Sequence, residues 1–345
     1  MISRAHSQEQ AQFDAMVEAQ ERTQALWPRI AANVGLPTEA ARFHRLRVNS
    51  GRADLRCVLH IQAANGRDYV LRADYSPRGF QTFRRILDRH QAAAEGLRET
   101  RGVSVPEILW RDPQDKVALM EFAPGATAFQ ALDMSSLGLE NRGVVLRRIG
   151  HAVAALHQCS RTEVKRFWPK PYLGQVSESA QKVRAGELPI RKPKRFVGLC
   201  AYLHRVGRRA RGQTYQGAVE HGDLHMRNIL ISEDQISLID FANHRGAVPQ
   251  RDLANLFLAN GLHHLAEAGR PDGYGYIAQA DWDAFETGYG APVSNDPVFQ
   301  FFFAMKLWAA WERLAVTERA VSPKGERQLM LLVKVLDHLL ATEQD

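Results

Sequence analysis

The stretch from His221 to Phe241 constrains the structure of this chain most strongly. It begins HGDLHMRNIL, continues through the polar cluster SEDQ at 232–235, and ends in the apolar run ISLIDF. The runs Ile229–Ile231 and Ile236–Ile239 consist of β-favouring apolar residues, and the polar cluster between them is typical of a turn. The sequence therefore predicts a short antiparallel hairpin here.

Three polar side chains flank the predicted hairpin. Asn228 precedes its first strand and Asp240 follows its second, so the two are expected to be neighbours, with Asp223 in the loop just before them. Carboxylate and amide oxygens are ligands that Mg²⁺ accepts. A carboxylate that orients a hydroxyl, beside two groups that hold magnesium on phosphates, is the arrangement that phosphoryl transfer needs. The pattern therefore predicts Asp223 as the catalytic base and Asn228 and Asp240 as metal ligands.

These motifs resemble the catalytic loop and metal-binding segment of the aminoglycoside phosphotransferase and choline kinase superfamily. The resemblance extends from about Phe43 to Tyr289, with several separate motifs in the expected order, and includes kinship to lipopolysaccharide core sugar kinases. It implies an α+β, protein-kinase-like two-lobe fold with a small antiparallel β lobe and a larger, mainly helical lobe. The implied cofactors are ATP and Mg²⁺.

The resemblance also implies a division of the chain. Residues 1–40 are expected to form an N-terminal helical segment, with apolar residues at helical spacing from Gln8 to Val34. Residues 41–122 form the small lobe, in which Asn65-Gly66 signals a hairpin. Residues 123–345 form the helical lobe with the catalytic loop and the acceptor site.

On the nucleotide side, the resemblance places Arg72 on the third strand, where a kinase carries a phosphate-pairing lysine. An arginine keeps its charge and can bind two oxygens at once. Its acidic partner is expected on the following helix, where Glu95 is favoured over the family-register position Gln91. The alternative for Arg72 is a solvent-facing strand residue.

Two further segments complete the expected ATP site. The turn at 49–54, with Ser50 and Gly51, would cover the phosphates with backbone N–H groups. The strand ending in Glu121 and Ala123 would read the adenine edge before Pro124-Gly125 stops it. An ordinary turn and an ordinary strand end are the alternatives for these segments.

Other residues are assigned supporting roles. Asp252, in an Arg-Asp-Leu-Ala motif, is expected to cap its helix or brace the catalytic loop, and His157 is expected to pack rather than react. Arg245 is either a phosphate or acceptor ligand or a surface arginine. The aromatic run 299–311 is expected to belong to the core.

Composition bears on partners and location. The chain has 345 residues, a formal net charge of +7 and three scattered cysteines, and its N-terminus lacks the apolar core of a signal peptide. No apolar run approaches the roughly 18 residues of a membrane-spanning helix. A cytoplasmic enzyme is expected.

Residues 182–211 carry ten basic residues and one acid, Glu187. This basic segment is either a solvated face or a surface that concentrates a small or sugar-containing, anionic acceptor near the active site. Peripheral contact with an anionic membrane fits the same charge. A nucleic-acid partner is disfavoured, because no aromatic interleaving accompanies it.

Three rival functions are weighed. An aminoglycoside-type antibiotic kinase shares the motifs, but a polycationic acceptor is expected to meet an acidic pocket. A non-catalytic nucleotide-binding module conflicts with the presence of Asp223, Asn228 and Asp240. A zinc hydrolase built on His221 and His225 lacks a third ligand at a convincing spacing.

Overall fold

The computed structural model describes residues 2–51, 54–77, 79–112, 114–242, 247–258, 271–315 and 323–343. The chain divides into two compact units. Unit 1 comprises Met1–Glu99, Ser104–Pro124 and Phe241–Asn243; unit 2 comprises Thr100–Val103, Gly125–Asp240 and His244–Asp345. Among the described residues, no helix is both long and apolar enough to cross a membrane.

Unit 1 is an antiparallel sheet with three helices in its described part. The elements are α1 (Ile2–Ala25), α2 (Trp27–Val34), β1 (Arg42–Gly51), β2 (Asp54–Gln62), β3 (Asp68–Asp74), α3 (Phe80–Leu97), β5 (Ile108–Asp112) and β6 (Val117–Glu121). The strand order is β1-β2-β3-β6-β5. The short strand β4 (Val103–Ser104) lies where the chain passes from unit 2 to unit 1.

The N-terminal segment belongs to the core of unit 1. Trp27 and Ile30 of α2 are buried in one cluster with Ile61, Leu71 and Leu119 of the sheet. This helical segment consists of two helices, which meet at Leu26, because the proline that follows Trp27 favours the first turn of a new helix.

Unit 2 is mainly helical. Its elements are β7 (Ala126–Thr127), α4 (Ala128–Ser136), α5 (Arg142–Cys159), β8 (Arg161–Arg166), α6 (Lys170–Arg184), α7 (Pro193–Ala210), β9 (Thr214–Ala218), a 3₁₀ turn (Met226–Asn228), β10 (Ile229–Ile231), β11 (Ile236–Leu238), α8 (Gln250–Leu258), α9 (Gln279–Tyr289), α10 (Pro297–Ala315) and α11 (Pro323–Ala341). The strands β11, β10 and β7 are neighbours in one sheet, with Val103 at the edge beside β11.

Close backbone approaches shape unit 2 around the hairpin. Gly125 has φ +119°, and a Cβ there would lie 2.4 Å from the carbonyl oxygen of Ile231. Only glycine allows β7 to run this close to β10. The strand stops before Pro124-Gly125, as expected, and the chain then passes directly to the hairpin.

The aromatic run of α10 lies in the core of unit 2, as expected. Phe299, Phe301, Phe303 and Trp311 are each fully buried. Phe299 makes edge contacts with Trp282 and Phe257, at ring-centroid distances of 5.5 and 6.4 Å. Such aromatic pairs stabilise a core beyond the area that they bury.

The basic segment 182–211 spans the end of α6 and the whole of α7. Half of its ten charges pair with carboxylates of unit 2. The pairs are Lys182 with Glu178, Arg191 with Glu326, Arg195 with Asp337, and both Arg205 and Arg209 with Glu343. Four of these five cations thus bind α11 and the residues after it to α7 and the turn before it. The segment therefore has a structural use that the sequence did not reveal.

Candidate active site

The loop that the sequence predicts to be catalytic, residues 219–228, follows β9 and precedes β10 in unit 2, and is called the catalytic loop below. Gly222 adopts φ +85°, a left-handed conformation that glycine reaches without steric cost. Asp223 comes next, with a side chain that is 51% exposed and with Oδ2 3.7 Å from Nε2 of His225. Its carboxylate can thus be reached by a hydroxyl-bearing molecule.

Asn228 joins this loop to the hairpin. Its side chain is buried, and its Nδ2 donates to the backbone carbonyl of Asp223 at 2.9 Å. That bond occupies the nitrogen and leaves the amide oxygen as the atom suited to a cation. The spacing of five residues between Asp223 and Asn228 is the length that lets the side chain reach back across the 3₁₀ turn.

The predicted hairpin is present and brings Asp240 to Asn228. Ile229 pairs with Leu238, and the N–H of Ile239 donates to the carbonyl of Asn228 at 3.0 Å. Asp240 follows directly with φ +58°. A left-handed backbone costs a residue with a Cβ about 1–2 kcal/mol, and such strain concentrates at functional positions. Carboxylate and amide therefore stand at adjoining ends of one hairpin.

Asp252 at the start of α8 braces the catalytic loop. Its carboxylate accepts the N–H of His221 at 2.5 Å and the N–H of Gly222 at 3.0 Å. His157 of α5 donates through Nε2 at 3.4 Å, which leaves its Nδ1 to accept from the hydroxyl of Tyr289 at 3.0 Å. Although Asp252 is buried, these donors lower the pKa of its carboxyl. The bracing role expected of Asp252 and the packing role expected of His157 agree with this network.

His221 is buried and neutral. Burial lowers the pKa of its imidazole to about 4, outweighing the opposing effects of Asp252 and Asp240. Its Nδ1 accepts the N–H of Asp223 at 3.4 Å, and Nδ1 of His225 accepts the N–H of Arg227 at 3.2 Å. Within the described residues, no group of three His, Cys, Asp or Glu side chains could hold a metal ion. Both histidines thus shape the loop, which gives the zinc interpretation no support.

The sequence profile of the phosphotransferase enzyme family matches residues 45–287, a range that includes this loop, the paired hairpin and Asp252. The match covers well over half of the chain. The chain belongs to this family. It is therefore a kinase-type phosphotransferase. None of the curated proteins matches this phosphotransferase in sequence.

Solved structures share the fold. A choline/ethanolamine kinase family protein from Mesorhizobium loti is 15% identical, with a TM-score of 0.59, over 93% of this chain and 95% of its own. A putative fructosamine-3-kinase from Thermobifida fusca is 18% identical, with a TM-score of 0.54, over 91% and 99%. A glucosamine kinase in complex with glucosamine, ADP and inorganic phosphate is 16% identical, with a TM-score of 0.50, over 92% and 82%. The expected α+β, protein-kinase-like fold is confirmed.

Arg72 and Glu95, both in unit 1, have different surroundings. Arg72 is buried on β3, opposite Val58 and Ala118, so it is not a solvent-facing strand residue. Glu95 lies on the exposed face of α3, and its carboxylate accepts from Gln91 at 3.0 Å. The exposed position of Glu95 and its bond to Gln91 thus do not support the expected pair with Arg72. The buried stripe of α3 determines this outcome, because Gln91 and Glu95 lie on the face of the helix opposite to that stripe.

The expected phosphate-covering turn is shorter than the sequence indicated. Ser50 and Gly51 are strand residues, which pair with Leu55 and Asp54. The antiparallel ladder therefore continues to Gly51, and the remaining turn, residues 52 and 53, lies outside the described residues. Arg245 also lies outside them.

Glu107, which precedes the adjacent strand β5, holds the end of strand β6 at Glu121. The N–H of Glu121 donates to the carbonyl of Glu107 at 3.0 Å, and its carboxylate accepts the N–H of Glu107 at 3.1 Å. Phe122 stacks on His60 at 4.2 Å, and the half-buried Ala123 follows. The side chain of Glu121 thus has a structural use, and its backbone and that of Ala123 keep their predicted adenine contact as a hypothesis.

Sequence reasoning missed two polar residues at the site. Asn255 donates through Nδ2 to the carbonyl of Leu224 at 2.8 Å, and Lys306 donates through Nζ to Oδ1 of Asn255 at 3.0 Å. Asn255 lies three residues after Asp252, on the same helix face, which was a usable signal. Lys306 lies far along the chain, and its signal was a lone charge within the aromatic run of α10.

Proposed function

We propose that the protein transfers the γ-phosphate of ATP, in a Mg²⁺-dependent reaction, to a hydroxyl group of a small or sugar-containing acceptor. The observation that carries this proposal is the joining of Asn228 and Asp240 at one end of the hairpin, with the exposed carboxylate of Asp223 on the loop that Asn228 holds. Membership of the phosphotransferase family and the ADP in the glucosamine kinase support it.

The donor set fits magnesium. The amide oxygen of Asn228 and the carboxylate of Asp240 are hard oxygen ligands, and nucleotide phosphates and waters complete the set that Mg²⁺ prefers. Magnesium bound by these residues would neutralise charge on the nucleotide phosphates. In this proposal Asp223 orients the acceptor hydroxyl and accepts its proton, since its carboxylate is exposed while its backbone is held by Asn228.

The remaining nucleotide contacts are proposed from unit 1. Arg72 would bind phosphate oxygens, Ser50 and Gly51 would approach them with backbone groups, and the backbone at Glu121 and Ala123 would meet the adenine. The position of Arg72 supports this proposal, because the family resemblance expects a phosphate-binding cation on β3 and a guanidinium can bind two phosphate oxygens at once.

We further propose an anionic acceptor. The net charge of +7 favours this choice, while the internal pairing of half of the basic segment reduces the charge available to such a molecule. A panel that compares a neutral sugar, an amino sugar and a sugar phosphate, each with labelled ATP, tests the acceptor class. Preferential labelling of the amino sugar would reject the anionic acceptor and favour the aminoglycoside-type alternative.

The central experiment compares Asp223→Asn and Asp240→Asn with Asp234→Asn. Asp234 is an exposed aspartate on the turn of the same hairpin, so it controls for charge and location. We expect a loss of at least about 100-fold in ATP-dependent phosphorylation for the first two variants, since such groups act in the transition state. The control is expected to keep wild-type activity.

Binding separates the two roles. Asp240→Asn should abolish the Mg²⁺-dependent part of the thermal shift produced by ATP, whereas Asp223→Asn should keep it. Wild-type activity in either variant, with an unchanged far-ultraviolet circular dichroism spectrum, would reject the assigned roles. Absence of any ATP-induced shift in the wild-type protein would favour the non-catalytic module.

A further inference from the structure

Lys306 is a half-buried cation in an apolar helix. It lies on α10 in the sequence FFFAMKLWAAW, where the neighbouring Phe303 and Leu307 are fully buried. Burial and the nearby Arg251 lower the pKa of its ammonium group. Within the described residues, its nearest hydrogen-bond partner is the neutral amide of Asn255 rather than a carboxylate. A lysine placed at such a cost calls for a reason.

The contacts of Lys306 lead to the catalytic loop. Its Nζ donates to Oδ1 of Asn255 at 3.0 Å, and this bond fixes which way the amide of Asn255 faces. Nδ2 of Asn255 is thereby directed to the carbonyl of Leu224, to which it donates at 2.8 Å. The side chain of Leu224 is completely buried, and its backbone is joined directly to Asp223.

The charges around Lys306 agree with a role at Asp223. Three carboxylates lie within electrostatic reach of it: Asp252, Asp223 and Glu220. Asp252 already accepts two backbone N–H groups, and Glu220 accepts the N–H of Val248 at 3.0 Å and lies 3.7 Å from Arg251. Among these three, Asp223 is the exposed carboxylate, and its Oδ2 lies 3.7 Å from Nε2 of His225 in the same loop.

We propose that Lys306 is a positioning residue, which acts through Asn255 to hold the Leu224 carbonyl and thereby the orientation of the Asp223 carboxylate. The catalytic loop is then held from two sides. Asp252 binds the N–H groups at its start, and the Lys306–Asn255 pair binds a carbonyl in its middle. The effect on catalysis in this inference rests on the proposed function. The effect on the order of the loop rests on the hydrogen bonds alone.

Four variants of the full chain test the pair. Lys306→Met removes the charge and the donor, and Lys306→Arg keeps both. Asn255→Asp keeps an acceptor for Lys306 but cannot donate to Leu224. Lys334→Met, at an exposed position on α11, controls for replacing a lysine by methionine.

Hydrogen exchange provides a readout that does not depend on activity. We expect the amides of residues 222–228 to exchange about tenfold faster in Lys306→Met and Asn255→Asp, because each variant removes the anchor of one backbone hydrogen bond. Lys306→Arg and Lys334→Met should exchange like the wild type. Wild-type exchange in Asn255→Asp would show that Lys306 acts only through its charge, and would overturn the positioning role.

Kinetics test the catalytic consequence. With an acceptor from the panel above, Lys306→Met should lower kcat about tenfold and leave the KM for ATP within twofold of wild type, since the nucleotide ligands are untouched. Lys306→Arg should restore most of the rate. Equal rates in Lys306→Met and wild type would overturn the proposal. A wild-type protein without phosphorylation activity would instead reject the proposed function, while the exchange experiment would still decide the role of Lys306.

Discussion

Replacing Asp252 removes the acceptor that holds the start of the catalytic loop. Its two carboxylate oxygens accept the N–H groups of His221 and Gly222 at 2.5 and 3.0 Å, and the side chain is 2% exposed. In Asp252→Ala both N–H groups lose a charged acceptor inside the protein. Hydrogen bonds to charged groups contribute about 1.5–3 kcal/mol each, so we expect the loss of two to lower the free energy of unfolding by about 3–6 kcal/mol.

Asp252→Asn is the sharper test because it keeps the shape of the side chain. An asparagine can accept one of the two N–H groups, but it turns its own NH₂ towards the other. We expect a loss of about 2–3 kcal/mol, together with at least a tenfold loss of phosphorylation activity per folded molecule, since the loop carries Asp223. Urea unfolding followed by fluorescence of the six tryptophans measures the first quantity.

Asp281→Asn is the matched control. Asp281 is also buried, and it forms a two-point pair with Arg142 at 2.8 and 2.9 Å. Within the described residues it has no hydrogen bond to the catalytic loop. It should therefore lose stability and retain activity per folded molecule. An Asp252→Asn protein with wild-type stability and full activity would refute the reasoning that the carboxylate braces the loop.

Two further predictions concern pH and packing. Because burial lowers the pKa of His221 to about 4 from its usual 6.5, the unfolded chain binds a proton between these pH values that the folded chain does not. The free energy of unfolding should therefore fall as the pH is lowered from 7 towards 4, by up to about 3 kcal/mol, and urea titrations at pH 7 and 5 should show a smaller fall in His221→Gln. The lowered pKa of Asp252 adds a loss of stability only below about pH 4. Gly288→Ala should lower the free energy of unfolding by more than about 3 kcal/mol or prevent folding, since its Cβ would lie 1.9 Å from the carbonyl oxygen of Arg147. Gly174→Ala, at an open helical position, should raise it by about 0.5–1 kcal/mol, and thermal melts that show equal effects would refute the packing argument.

Local pattern was sufficient wherever the interacting residues lie close in sequence. The hairpin at 229–239 was predictable because two apolar runs flank a four-residue polar turn, and the pairing of Ile229 with Leu238 follows from that turn. The approach of Asp240 to Asn228 follows in the same way. The helix that contains Asp252 was expected from the resemblance of its Arg-Asp-Leu-Ala motif to the family, although the two N–H groups that Asp252 binds were not.

Residues whose role depends on distant contacts were not predictable. Glu95 was expected beside Arg72, but the register of the buried stripe of α3 leaves it exposed and bonded to Gln91. Ser50 and Gly51 were expected in a turn, but pairing with Asp54 and Leu55 extends the strand through them. In both cases the surrounding packing, rather than the propensity of the segment, decided the outcome.

The sequence by itself determined the hairpin, the order of the motifs and the phosphotransferase family to which the chain belongs. The tertiary structure alone decided that half of the basic segment pairs with carboxylates, four of its cations with acids at 326–343, and that Lys306 reaches the catalytic loop through Asn255. The physical reason is separation along the chain. The sequence shows the sign of a charge, but its partner is selected only when the helices pack. Arg191 and Glu326 are more than a hundred residues apart in the sequence, and Lys306 and Asn255 are about fifty apart.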